Sequence, residues 1–225
     1  MTRTLTKGNP LKLIILFTLP LLFGNLFQQL YTFTDTLIVG RALGVNALAA
    51  VSLSASINFL LVGFAQGFTA GTAIVTARRF GAGDYVGVRR SMATTISLTI
   101  VLTAIVTSIS VFFNREILAL MQTPPAVMDQ ASIFLSIMLG FMFTTMSYNL
   151  ATNAMRAVGN SRAPLIFLII AVFINILLEL LFIVVFNWGI AGAAFATVFA
   201  QFVAGGLSFI YIYRVLPVLK VGKKI

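Results

Sequence analysis

The chain has 225 residues, of which 60% are hydrophobic and 9% charged, and its net charge is +10. That balance excludes an ordinary soluble domain and points to a polytopic membrane protein. The absence of Cys and His excludes disulfides, thiolate chemistry and the commonest metal ligand and general base. The acids, Asp35, Asp84, Glu116, Asp129 and Glu179, are too few and too scattered to suit an enzyme.

Residues 13–40 form the first predicted span. A hydrocarbon core is crossed by roughly 20 apolar residues; Pro20 and Gly24 are expected to weaken this helix locally. A turn at Gly44, Val45 and Asn46 leads to the second span, 48–77. Residues 78–90, RRFGAGDYVGVRR, form a polar, Gly-rich loop before the third span, 91–113. A connector with Pro124 and Pro125 precedes the fourth span, 131–155, which carries Asn149 and Asn153 near its end. After the turn RAVGNSRAP comes the fifth span, 165–186, an apolar run that holds Asn175 and Glu179. Asn187, Trp188 and Gly189 make the last turn, where Trp favours the membrane interface. The sixth span covers 191–213.

Six spans place both ends of the chain on one side. Thirteen of the 15 Lys and Arg residues fall on that side, and only Arg41 and Arg115 on the other. The positive-inside rule then predicts that both termini are cytoplasmic. The same distribution explains the net charge without a nucleic-acid partner and turns the basic C-terminal arm towards lipid headgroups.

The polar residues inside the spans fall at matching depth. Asp35 lies about 9 Å below Arg41, Glu179 roughly 13 Å below Trp188, and Thr197 about 12 Å below Gly189, at 1.5 Å per residue. Asn175 is one helical turn from Glu179 on the same face. If the helices converge, Asp35, Asn175, Glu179 and Thr197 share one layer, and Gln28 and Tyr31 extend it down the first span. Ionisable groups at membrane depth are costly and usually mark a pathway. Two acids with amide and hydroxyl neighbours suit a site that binds and releases a proton or holds a cation. The alternative for Asp35 is a position at the outer headgroups, and for Glu179 a hydrogen bond to a neighbouring helix.

These residues lie in segments that resemble the MATE (multidrug and toxic compound extrusion) family. The segments are PLLFGNLFQQLYTFTDTLIVGRALGVNALAA from Pro20, GTAIVTARRFGAGD from Gly71, RAVGNSRAP from Arg156, NILLELLF from Asn175 and GIAGAAFAT from Gly189. No one of them is very specific; their order and spacing over six spans is. The resemblance implies an all-α membrane protein, with six transmembrane helices forming one lobe of a MATE-type transporter. It implies a secondary active multidrug or organic-cation efflux function coupled to proton or sodium antiport, in a bacterial or archaeal plasma membrane. In many members an aspartate of span 1, an asparagine and an aspartate of span 5 and a threonine of span 6 form the coupling site. Those positions match Asp35, Asn175, Glu179 and Thr197, with a glutamate in place of the second aspartate. The coupling ion is H+ or Na+ and no other cofactor is expected. Tyr31 and Asn153 resemble cavity residues, with Gln28 and Asn149 beside them. Family members are about twice as long, so a second lobe or another copy of the chain is expected as partner, together with the lipid bilayer and lipophilic cationic small molecules.

Two other readings remain open in the sequence. GAGDYVGVRR, 81–90, has the look of the loop between spans 2 and 3 of a major-facilitator transporter, or is simply a tight turn with membrane-proximal arginines. The Gly/Ala-rich faces at 189–196 and 204–206 could belong to a non-transporting scaffold that only packs helices.

Overall fold

A computed structural model describes residues 10–221. The predicted arms that carry Arg3, Lys7, Lys223 and Lys224 lie outside the described residues. The described chain is helical throughout: α1 (Pro10–Leu43), α2 (Val45–Gly81), α3 (Tyr85–Phe112), α4 (Asn114–Leu120), α5 (Pro125–Gly140), α6 (Met142–Ala157), α7 (Arg162–Glu179) and α8 (Gly189–Val215). A π-helical turn, Leu180–Val185, continues α7, and a short 3-10 turn, Pro217–Leu219, follows α8. Among the described residues, five helices are long and apolar enough to cross a membrane, and the bent pair α5–α6 makes a sixth span. This is a multi-pass membrane protein.

The connections are tight because their backbones take conformations suited to glycine or asparagine. Gly44, between α1 and α2, sits at φ +84°, and Asn187 and Gly189, between the π turn and α8, sit at +55° and +58°. α1 stays one helix through Pro20. The stretch from Arg115 to Asp129, expected as an interfacial connector, contains the short α4, and Arg115 pairs there with Asp129.

The fourth span departs from the single run over 131–155. It is two helices bent by 48° at Phe141. A bend removes backbone hydrogen bonds that hydrocarbon cannot replace. Side-chain hydroxyls cover the loss: Thr107 of α3 donates to the Leu139 carbonyl at 3.2 Å, and Thr144 donates to that of Phe141 at 2.9 Å. The fifth span also departs from a plain helix, since it widens into the π turn directly after Glu179.

Apolar packing concentrates at the two ends of the bundle. At one end Val39, Ala50, Leu118, Leu135, Ile183 and Ile190 join α1, α2, α4, α5, the π turn and α8. At the other, Val88, Met92, Met155, Ile212 and Leu216 join α3, α6 and α8. Between them the small residues Ala171, Ala200 and Ala204 let α7 and α8 come close. The π turn comes close to α8 at Gly192, where an added Cβ would lie 3.0 Å from the Cβ and 3.2 Å from the carbonyl carbon of Phe182.

Gly192→Leu is therefore expected to push α8 off the π turn. Overpacking of this kind costs about 1–3 kcal/mol. A lower thermal midpoint in detergent is the measurement, and an unchanged midpoint would show that the contact is not tight.

Candidate functional site

α7 carries Asn175 and Glu179 one turn apart, so both point to the same side. Both are fully buried, at 0% exposure. α8 supplies Thr197 (7% exposed) from a segment of small buried residues, Gly192, Ala193, Ala194 and Ala196, that brings the two helices together. α1 supplies Tyr31 and Asp35, both partly buried.

Thr197 is the junction. Its hydroxyl accepts from the Tyr31 hydroxyl at 3.2 Å and from Asn175 Nδ2 at 3.3 Å, and donates to the Ala193 carbonyl at 3.1 Å. A threonine hydroxyl has one proton and two lone pairs, so its capacity is filled and nothing remains for a carboxylate. Asp35 faces Glu179 closely enough for the two carboxyl groups to interact, with Asn175 at Glu179's side. Yet neither Oε1 nor Oε2 of Glu179, nor Oδ1 of Asn175, has a partner in hydrogen-bond geometry. Three buried oxygens on one face of α7 are thus left without a donor. The structure brings Asp35, Asn175, Glu179 and Thr197 together, and adds Tyr31 to the same group.

The remaining expected residues lie along a path towards the other end of the bundle. A cavity of about 240 Å³ between α1, α2, α6 and α7 is lined by Gln28, Asn149 and Asn153. Asn153 donates to Thr69 of α2 at 2.9 Å, and Asn149 donates back to its own helix at the Thr145 carbonyl. A smaller space of about 40 Å³, lined by Gln28, Tyr31, Tyr148 and Gln201, lies between this cavity and the acidic layer.

Several functional candidates were missed by sequence reasoning. Asn25, Gln66 and Arg156 also line the larger cavity, and Arg156 donates to Asn153 Oδ1 at 3.5 Å. Gln201 accepts a hydrogen bond from Thr145. The signal for two of them was present: Asn25 lies three residues before Gln28, and Gln201 four after Thr197, so each extends a stripe already noticed. Arg156, expected in a turn, ends α6 instead and stands exposed at the wall of the cavity. Among the described residues no three His, Cys, Asp or Glu side chains gather as a metal centre would need.

A family model described as MatE matches residues 20–181. The chain belongs to the MatE family. The chain is 35% identical over 214 residues to the probable multidrug resistance protein YpnP of Bacillus subtilis (strain 168), a match that covers 92% of this chain and 45% of that one. It is 33% identical over 204 residues to the probable multidrug resistance protein YoeA of the same organism, covering 88% and 43%. Among solved structures, an outward-facing multidrug resistance MATE family transporter of the MOP superfamily superposes with a TM-score of 0.90. At 24% identity, over 98% of this chain and 49% of that one, this likeness shows the shared fold. The chain spans about half the length of the curated relatives it matches. Membership of the MatE family removes the major-facilitator reading of the 81–90 loop.

Within this MatE lobe, Thr197→Val removes the acceptor used by both Tyr31 and Asn175. An unpaired buried amide costs about 1–3 kcal/mol, so the thermal midpoint is expected to fall. Thr197→Ser keeps the hydroxyl and is expected to retain most of the stability; an unchanged midpoint in Thr197→Val would show that the hydroxyl is not what joins the helices.

Proposed function

We propose that the chain forms one lobe of a secondary active transporter that exports lipophilic organic cations in exchange for a proton or a sodium ion. Asp35, Asn175, Glu179 and Thr197 act as the coupling layer. Gln28, Tyr31, Asn149 and Asn153 line the polar path that leads to it. A second six-helix lobe, or another copy of the chain, supplies the surface against which this one rocks, with substrate held near the midplane between the two.

One observation carries the reading: the unpartnered, buried oxygens of Glu179 and Asn175 beside Asp35. Buried acceptors without donors are unfavourable. A proton on Glu179 supplies a donor, and a sodium ion supplies a ligand-seeking charge for the same oxygens. Either one satisfies the layer, and its departure leaves the layer unsatisfied again. Two carboxyl groups this close titrate as a pair rather than singly. The occupied and empty layers therefore favour different helix packing, and the π turn after Glu179 is a weak point where α7 can adjust.

The orientation proposed puts both ends of the chain in the cytoplasm. Arg78, Arg79, Arg89 and Arg90 at the α2–α3 end support it through the positive-inside rule. A cysteine at Asn46 is expected to react with an impermeant thiol reagent added outside intact cells, and one at Gly83 only after permeabilisation. The reverse pattern would overturn the orientation.

The coupling role is tested in proteoliposomes holding this lobe in a complete two-lobe assembly. Glu179→Gln preserves size and hydrogen bonding but cannot take up or release a proton. It is expected to abolish efflux driven by a pH or sodium gradient while insertion is unchanged. Glu179→Asp keeps the carboxyl group and most of the activity. Asp35→Asn is expected to resemble Glu179→Gln, and combining them to add little, because both remove one shared step. Efflux of an ethidium-like cation at the unmodified rate in Glu179→Gln would make the acid structural.

A further inference from the structure

The stretch 78–90, expected as a loop, is helical except at residues 82–84: Arg78 and Arg79 end α2, Asp84 precedes α3, and Arg89 and Arg90 lie in its first turns. Asp84 is committed: its Oδ1 accepts from the Gly87 N–H at 2.8 Å and caps α3. Arg79 is held from the other side, since its Nη1 donates to the Gly87 carbonyl at 3.0 Å. Gly87 permits this closeness. A Cβ there would lie 1.9 Å from Asp84 Oδ2 and 2.7 Å from Arg79 Nη1. The arrangement fixes one guanidinium at the end of α2, and neither Arg79 nor Arg90 forms an ion pair among the described residues.

Directly beneath lies a groove of about 370 Å³ between α2 and α3, with Arg79 and Arg90 in its wall. It extends to Thr72 on α2 and Leu98 on α3, about 10–12 Å along the helices from the arginines at 1.5 Å per residue. Val75 and Leu98 flank it and are roughly half exposed, at 47% and 48%. Ser91 and Thr95 are bonded within the protein, to Thr76 and to the Ser91 carbonyl respectively. Thr94 lines the groove and is exposed, and its hydroxyl has no hydrogen-bond partner among the described residues. Two unpaired guanidiniums sit at one end, a free hydroxyl below them, and an apolar channel below that.

We propose that this groove binds one anionic glycerophospholipid, with its phosphodiester on Arg79 and Arg90, its glycerol ester region at Thr94 and an acyl chain along Val75 and Leu98. The fixed guanidinium matches phosphate, which arginine binds through paired N–H groups. The apolar channel is complementary to a chain and not to a free phosphate. Basic pockets between membrane helices suit such headgroups. The site is separate from the acidic layer and does not depend on transport.

The test is native mass spectrometry of the full, delipidated chain with equimolar dioleoylphosphatidylglycerol and dioleoylphosphatidylcholine. The unmodified chain is expected to retain one phosphatidylglycerol in preference to phosphatidylcholine. Arg90→Gln is expected to weaken that retention about fivefold, the effect of roughly one charge contact at a lipid headgroup, and Arg79→Gln at least as much. Arg90 makes no hydrogen bond within the loop, so its variant does not disturb the fold. Arg78→Gln and Arg89→Gln make the same charge change outside the groove and are expected to leave retention intact. Equal losses in all four variants would overturn the proposal in favour of diffuse attraction. Competition by glycerol phosphate as effective as that of the lipid would overturn it in favour of a phosphate site. Absence of any preference for phosphatidylglycerol would overturn it outright.

Discussion

The Glu179 carboxyl group lies wholly out of water with no donor on either oxygen. Few interactions in a helix bundle are so unfavourable if left alone. The surrounding parts limit the damage without removing it. Asn175 turns its amide nitrogen to Thr197 and leaves its carbonyl oxygen without a partner. Thr197 spends its only proton on the Ala193 carbonyl. Among the described residues no arginine or lysine pairs with Glu179, as one would in a structural ion pair. A bundle selected only to pack would gain by an apolar side chain at 179, and removing a buried charge in favour of hydrophobic residues is often neutral or stabilising. Retaining the acid therefore fits a site whose missing partner comes and goes.

Such a layer needs rigid support on both sides, and the two apolar clusters provide it. Each joins helices that also contribute to the layer: α1 and α8 at one end, α7 and α8 at the other. Phe182 stacks on Trp188 with ring centroids 4.8 Å apart, closing the end of the bundle near the π turn. The helices depart from regular backbone at the bend at Phe141 and in the π turn after Glu179, and hydroxyl groups lie at the first of these. Helices in a membrane tolerate such breaks only where neighbours satisfy the freed groups.

The membrane spans were legible because each is an uncharged run bounded by charge or by Gly and Trp turns. The acidic layer was legible because depth follows from residue counts at a fixed rise, and i, i+4 spacing puts Asn175 beside Glu179. Three features were not. At the bend at Phe141, Thr107 on another helix meets the Leu139 carbonyl, a contact that no local pattern announces. The π turn sits in LLFIVV, an apolar run that reads as ordinary helix. Tyr31 was noticed as part of a stripe, but its bond to Thr197 joins residues 166 apart in sequence, which only the packing of α1 on α8 creates.

The same physics decides what α1 faces. Thr32, Thr34 and Thr36 return their hydroxyl protons to carbonyls one turn back on their own helix. A threonine can satisfy itself in this way and then face hydrocarbon at little cost. An amide has two donors as well as an acceptor and cannot be satisfied so. Asn25, Gln28 and Gln66 are exposed and turn towards the cavity that Arg156 also lines. Three amides beside a guanidinium at membrane depth require water or polypeptide, not lipid. The relatives have about as much sequence again beyond the matched half. A lobe packed across this face would turn an unfavourable exposure into the wall of an enclosed polar chamber, next to Asp35 and Glu179.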